Sequence, residues 1–182
     1  MKSLVSIFIW GLLLVIPIYG IGQPVFTKLE SLKADFVSYS ASPTYGGGMS
    51  FSDFNGDGWD DITLTTDFGA RVHFYKNTFG VFKETFPIQT NHTKHTYSVW
   101  IDYDNDGDKD FFSISALGGV QVFRNDQGNY VSATLSCGLA GFPFSVLRGG
   151  LFGDFNNDGL LDLYVCEYNL ISQNHMFFQD SN

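Results

Sequence analysis

Positive charge is scarce in this chain: 10 Lys and Arg stand against 19 Asp and Glu in 182 residues, a formal net charge of −9. Without a basic face to neutralise phosphates, nucleic-acid binding is excluded, and a charged partner should be cationic. Cysteine is almost missing. Cys137 and Cys166 allow one bridge at most, and Cys166, inside the apolar run Leu163 to Cys166, reads equally well as a buried thiol. No apolar run after residue 22 is long enough for a membrane span. Nor is there a Gly-x-Ser-x-Gly elbow, a zinc signature or a phosphate loop, so the chain does not read as an enzyme.

Hydrophobic residues make up 44% of the sequence and aromatics 17%, enough to bury a core and exclude wholesale disorder. The amino terminus stands apart. Met1 to Ser3 form a short basic region, Leu4 to Ile18 an apolar one, and Gly20, Ile21 and Gly22 put small residues at the cleavage positions, which predicts a signal peptide over 1–22 cut before Gln23. A retained anchor is the competing reading, because the apolar run approaches the roughly 20 residues of a spanning helix. Either way residues 23–182 are expected outside the cytoplasm, secreted or at the cell surface.

Twelve of the 16 Asp fall in three nine-residue windows that begin at Asp53, Asp102 and Asp154. These windows belong to three copies in register: FSDFNGDGWDD (51–61), WIDYDNDGDKD (100–110) and FGDFNNDGLLD (152–162). Each copy continues into an apolar run (62–64, 111–114, 163–166), then a second run closing on a polar pair: VHFYKN (72–77), VQVFRN (120–125) and HMFFQD (175–180). Two copies add a turn and a further aromatic, Phe82 and Tyr130. Short β-branched and aromatic runs bounded by Gly, Asn and Asp read as strands, and no segment has the length of an amphipathic helix. Four strands in about 50 residues is the size of a propeller blade. The expected fold is therefore all-β, with four-stranded antiparallel blades in three repeats near 46–86, 97–134 and 149–182, and with the aromatics packed between blades. The third copy lacks its last strand, and Phe26 to Leu29 resembles one. The ring is thus expected to be incomplete in these residues, to be closed by that amino-terminal strand or continued by blades beyond Asn182.

The windows carry the chemistry. Each has Asp at position 1, Asp or Asn at 3, Asp at 5, Gly at 6 and Asp at 9. Alternate residues of a tight loop can aim oxygens at one centre, and Gly at 6 permits a positive φ. Oxygen-only ligands select a hard cation, and calcium tolerates the irregular shell better than magnesium. About three Ca2+ sites are expected. Their side-chain ligands are Asp53, Asn55, Asp57 and Asp61; Asp102, Asp104, Asp106 and Asp110; and Asp154, Asn156, Asp158 and Asp162. The carbonyls of Trp59, Asp108 and Leu160, at position 7, complete the shells, leaving Asp60 and the Asp108 side chain as spectators at the rim. An EF-hand is excluded, since position 12 holds Leu64, Ser113 or Val165 where that motif needs Glu. His92 and His95, in the linker 87–96, read as a solvated loop before a transition-metal pair. Arg71, Lys76, Arg124 and Arg148 read as solvated.

Over residues 46–180 these loops, with Phe51, Trp100 and Phe152 before them, make the chain resemble the FG-GAP/VCBS family of calcium-binding repeats, which builds the integrin-α-like β-propeller. The Phe-Gly signature is only hinted at, by Phe68-Gly69-Ala70 and Phe79-Gly80, which favours the VCBS-like branch. The resemblance implies a secreted or surface module braced by calcium that binds a protein or glycan, often in cell adhesion. A non-catalytic part of a larger exported enzyme, such as a polysaccharide-degrading one, is the alternative.

Overall fold

The computed structural model describes residues 47–65, 71–115, 119–141, 147–168 and 173–180. All of them lie in one compact unit, Ser31–Asn182. The signal peptide over 1–22, the strand at Phe26 to Leu29 and the hint at Phe68 to Ala70 fall outside the described residues.

Eleven strands are described, and no helix. Blade 1 is β1 (Met49–Ser52), β2 (Asp61–Leu64), β3 (His73–Thr78) and β4 (Val81–Thr85), antiparallel in the order β1-β2-β3-β4. Blade 2 repeats this with β5 (His95–Ile101), β6 (Asp110–Ser115), β7 (Gly119–Asp126) and β8 (Asn129–Ser132). Blade 3 has three described strands, β9 (Leu147–Gly153), β10 (Asp162–Glu167) and β11 (His175–Phe177), in the order β11-β10-β9. These are the propeller blades expected from the repeats. Each acidic window joins the first and second strands of its blade, so all three loops sit at the same end of their sheets.

The meander forms because the connections are tight. Residues 79–80 and 127–128 are two-residue hairpin loops between the pairs Thr78↔Val81 and Asp126↔Asn129, with positive φ at Phe79, Gly80, Gln127 and Gly128. Two consecutive positive φ values match the right-handed twist of the flanking strands. The side chains of Asn77 and Asn125 brace these turns by accepting the N–H of Gly80 and Gly128 at 2.8 and 2.7 Å.

One blade cannot bury both of its faces, so the core lies between blades. Blades 1 and 2 enclose Phe54, Val72, Phe74, Ile88, Trp100, Phe111 and Phe123. Blades 2 and 3 enclose Phe112, Ile114, Val120, Val122, Leu147, Leu163 and Val165, together with Ala133 and Leu139. β6, at the centre of the described residues, is buried along its whole length. Polar bonds also cross from blade to blade: Trp100 Nε1 donates to Thr63 Oγ1 at 2.8 Å, Tyr130 Oη to the Phe54 carbonyl at 3.1 Å, and Lys109 Nζ to Ser52 Oγ at 2.8 Å.

Several polar residues depart from the sequence expectation. His95 lies in β5 with its side chain fully buried, while His92 is exposed, so they do not form a solvated pair. The reason is that Ser113 and the Asn91 carbonyl meet both ring nitrogens of His95. Arg71 and Arg148 stack over the rings of Phe86 and Tyr168 at 3.9 and 4.7 Å, as their planar cations favour. Cys137 and Cys166 are both free thiols.

Candidate metal centre

Each loop is built from its own acids. The position-1 carboxylate accepts the backbone N–H groups of positions 5 and 6. Asp53 takes those of Asp57 and Gly58 at 3.1 and 2.7 Å, Asp102 those of Asp106 and Gly107 at 3.1 and 3.0 Å, and Asp154 those of Asp158 and Gly159 at 3.0 and 2.9 Å. The position-5 acid then accepts the N–H of position 7, from Trp59, Asp108 and Leu160 at 3.1, 2.9 and 2.8 Å. Folding amides inward on one carboxylate needs left-handed backbone. Gly58, Gly107 and Gly159 at position 6 supply it, with φ of 87°, 97° and 88°. Position 4 supplies it again through Gly56, Asn105 and Asn157, with φ of 74°, 59° and 62°. Gly or Asn at position 4 of every copy was the sequence signal for this second left-handed residue.

The position-9 acid does something else. Asp61 accepts Phe54 N–H on Oδ2 at 3.1 Å and Asn77 N–H on Oδ1 at 2.7 Å. Asp110 accepts Tyr103 N–H and Asn125 N–H at 3.0 and 2.8 Å, and Asp162 accepts Phe155 N–H and Gln179 N–H at 2.9 and 3.0 Å. All three are buried. Each therefore ties position 2 of its loop to the third strand of the blade or its immediate continuation. Asn77 and Asn125 complete the joint by donating their side-chain amides to the carbonyls of Asp60 and Lys109, at 2.9 and 3.1 Å. The third copy reaches the same joint one residue earlier than its sequence suggests, because Leu163 pairs with Phe177 and this register brings the N–H of Gln179, not of Asp180, to Asp162.

Loop 2 concentrates charge. Asp102, Asp104 and Asp106 each bring a carboxylate oxygen to within 4.8 Å of the others, a group able to hold a metal ion. The donor set is oxygen alone, which fits a hard cation such as calcium. Burial raises the pKa of Asp104, and the charges of Asp106 and Asp102 add to the shift. Burial likewise pushes Asp110 up to about 6, against the lowering effect of its two backbone donors. Asp61 is also raised, again by burial first.

Loops 1 and 3 carry Asn at position 3. Asn55 donates its amide to Asp61 Oδ2 at 2.8 Å and accepts Lys76 Nζ on its oxygen at 3.3 Å. Asn156 donates to Asp158 Oδ2 at 2.8 Å. Lys76 also pairs with Asp57 Oδ2 at 3.0 Å, and that bond holds the Asp57 carboxyl below its ordinary range. Asp60 and Asp108 are not spectators, for they accept the N–H groups of Asp53 and Gln127 at 3.1 and 3.0 Å. The sequence reading missed Lys76, Asn77 and Asn125 as parts of the site. The repeated Lys-Asn and Arg-Asn at the end of the second run was the available signal.

No curated protein matches the chain. The family model described as FG-GAP-like repeat matches residues 53–113 and again 102–165, each match running from the first acid of one loop into the blade that follows. Together the matches span 53–165, more than half of the sequence, in the stretch where strands and loops recur: the chain belongs to the FG-GAP-like repeat family.

Proposed function

We propose that the protein is a non-catalytic, calcium-stabilised β-propeller module, exported from the cell, whose loop-bearing end binds a protein or glycan. The observation that carries the calcium reading is the convergence of Asp102, Asp104 and Asp106 in loop 2. Loops 1 and 3 hold the same positions on the same backbone frame, with the position-7 carbonyls of Trp59, Asp108 and Leu160 completing each shell. When bound, calcium supplies the countercharge that these acids lack. The chain's own residues do the shaping: positions 1 and 5 fold the loop, and position 9 anchors it to the blade.

Export rests on the amino-terminal sequence, and among the described residues no helix is long and apolar enough to cross a membrane. The binding role rests on the family and on what the loop end offers. Trp59 and Phe79, both exposed, meet edge to face at 5.2 Å beside loop 1. Such a pair suits a sugar ring or a protein side chain. Equilibrium dialysis of the full chain against calcium tests the first half of the proposal, and well under one ion per loop at millimolar concentration rejects it. A glycan array probed with the calcium-loaded protein tests the second half. Binding lost in Trp59→Ala supports this face, and binding unaffected by that change places the ligand elsewhere.

A further inference from the structure

The three loops share one frame and differ in how their charge is met. The residue before the position-9 partner is Lys76 in blade 1, Arg124 in blade 2 and Phe178 in blade 3, equivalent by the pairings Ile62↔Tyr75, Phe111↔Phe123 and Leu163↔Phe177. Lys76 reaches back into loop 1 and sets its ammonium on the oxygens of positions 5 and 3, at 3.0 Å from Asp57 Oδ2 and 3.3 Å from Asn55 Oδ1. Arg124 instead sets Nε and Nη2 on the two oxygens of Asp126 at 2.8 and 2.9 Å, and its charge reaches Asp104 of loop 2 through space. Phe178 brings no charge.

The geometry points to Lys76 as the built-in cation of loop 1. Its ammonium touches two of the atoms a divalent ion would take, so calcium enters loop 1 only by displacing it. The three sites are then graded. Loop 2 has acids at positions 1, 3 and 5 and its neighbouring guanidinium is bonded to Asp126, so it is the tightest; loop 1 is the weakest. Asp126 is by this logic a selector that keeps Arg124 from doing in blade 2 what Lys76 does in blade 1. Loop 1 keeps its shape without metal, which suits the loop carrying the exposed Trp59.

This inference rests on the calcium reading above, and one experiment separates the two. Calcium is titrated calorimetrically into metal-stripped full-length protein, with Asp106→Asn and Asp57→Asn assigning loops 2 and 1. Lys76→Met should tighten the phase that Asp57→Asn removes, by about fivefold from loss of one exposed ion pair, and leave the loop 2 phase unmoved. Asp126→Asn should weaken the loop 2 phase, and Phe178→Lys should weaken binding at loop 3. If the loops bind calcium and Lys76→Met shifts no phase, or shifts the loop 2 phase instead, the role of Lys76 is overturned while the calcium reading stands. If neither wild type nor variant takes up calcium at millimolar concentration, both are overturned.

Discussion

Phe111 and Phe112 follow one another on β6 and are buried in opposite directions. Phe111 packs toward blade 1, its ring centroid 4.8 Å from Trp100 and 5.2 Å from Phe74. Phe112 packs toward blade 3, meeting Phe152 edge to face at 4.9 Å. Strand alternation alone sends neighbouring side chains to opposite faces, and here each face is a different inter-blade core.

Truncating either ring leaves a cavity in one interface and spares the other. Phe111→Ala and Phe112→Ala should each cost about 3–5 kcal/mol, measured by urea unfolding. Amide exchange should separate them: Phe111→Ala speeds exchange in β2 and β3, and Phe112→Ala in β9 and β10. Equal acceleration in both outer blades would mean that the interfaces do not behave as separate cores.

The position-9 acid and the position-5 acid should fail differently. Asp110→Ala leaves the buried N–H of Asn125 and the half-buried N–H of Tyr103 without acceptors, a loss of about 3 kcal/mol that is present with or without calcium. Asp106→Ala removes an exposed carboxylate that accepts the Asp108 N–H and belongs to the metal group, so it costs about 1 kcal/mol without calcium and clearly more when calcium is bound. Melting both variants in calcium and in EDTA checks this. An Asp110→Ala defect that vanishes in EDTA would assign that side chain to the metal alone.

His95 gives the stability a pH dependence. Its Nε2 lies 3.1 Å from the Asn91 carbonyl, which can only accept, so Nε2 carries the hydrogen and Nδ1 takes one from Ser113 at 2.6 Å. Burial lowers the pKa below the ordinary 6.5. In the window between that lowered value and 6.5, the unfolded chain binds a proton that the folded one does not. Stability is therefore full above about 6.5 and falls as the pH drops from there toward the folded-state pKa, by at most about 1.4 kcal/mol per pH unit. Subtracting the unfolding free energies of His95→Gln from those of wild type at pH 7.5 and 5.5 isolates this group from the carboxylates. A difference that does not change with pH removes His95 as the cause.

Residues close in sequence made much of this architecture legible. The nine-residue loops, the left-handed Gly at position 6 and the two runs after each loop all follow from spacing and residue type. What could not be read depends on pairing between strands. The clamp from Asp61 to Asn77 and from Asp110 to Asn125 joins residues 16 and 15 apart, and only register says which polar residue faces which acid. The same dependence makes Gln179, and not Asp180, the partner of Asp162 in the third clamp. Lys76 and Arg124 look alike as letters, yet one turns into its loop and the other onto Asp126, a choice set by partners two residues away or on another strand. His95 reads as a linker residue until Ser113 is known to lie beneath it.

Close approach of backbones between blades 1 and 2 makes a last test independent of any ion. A β-carbon at Gly48 would lie 2.8 Å from the Thr96 carbonyl oxygen and 2.8 Å from Tyr97 Cα, both main-chain atoms of β5 that have no rotamer to change. Gly48→Ala should cost about 1–3 kcal/mol as an overpacking change. Since Trp100 and Thr63 bond across the same interface, it should also alter the emission of Trp100. A Gly48→Ala protein with unchanged urea midpoint and spectrum would mean that the first strands of these blades stand farther apart in solution.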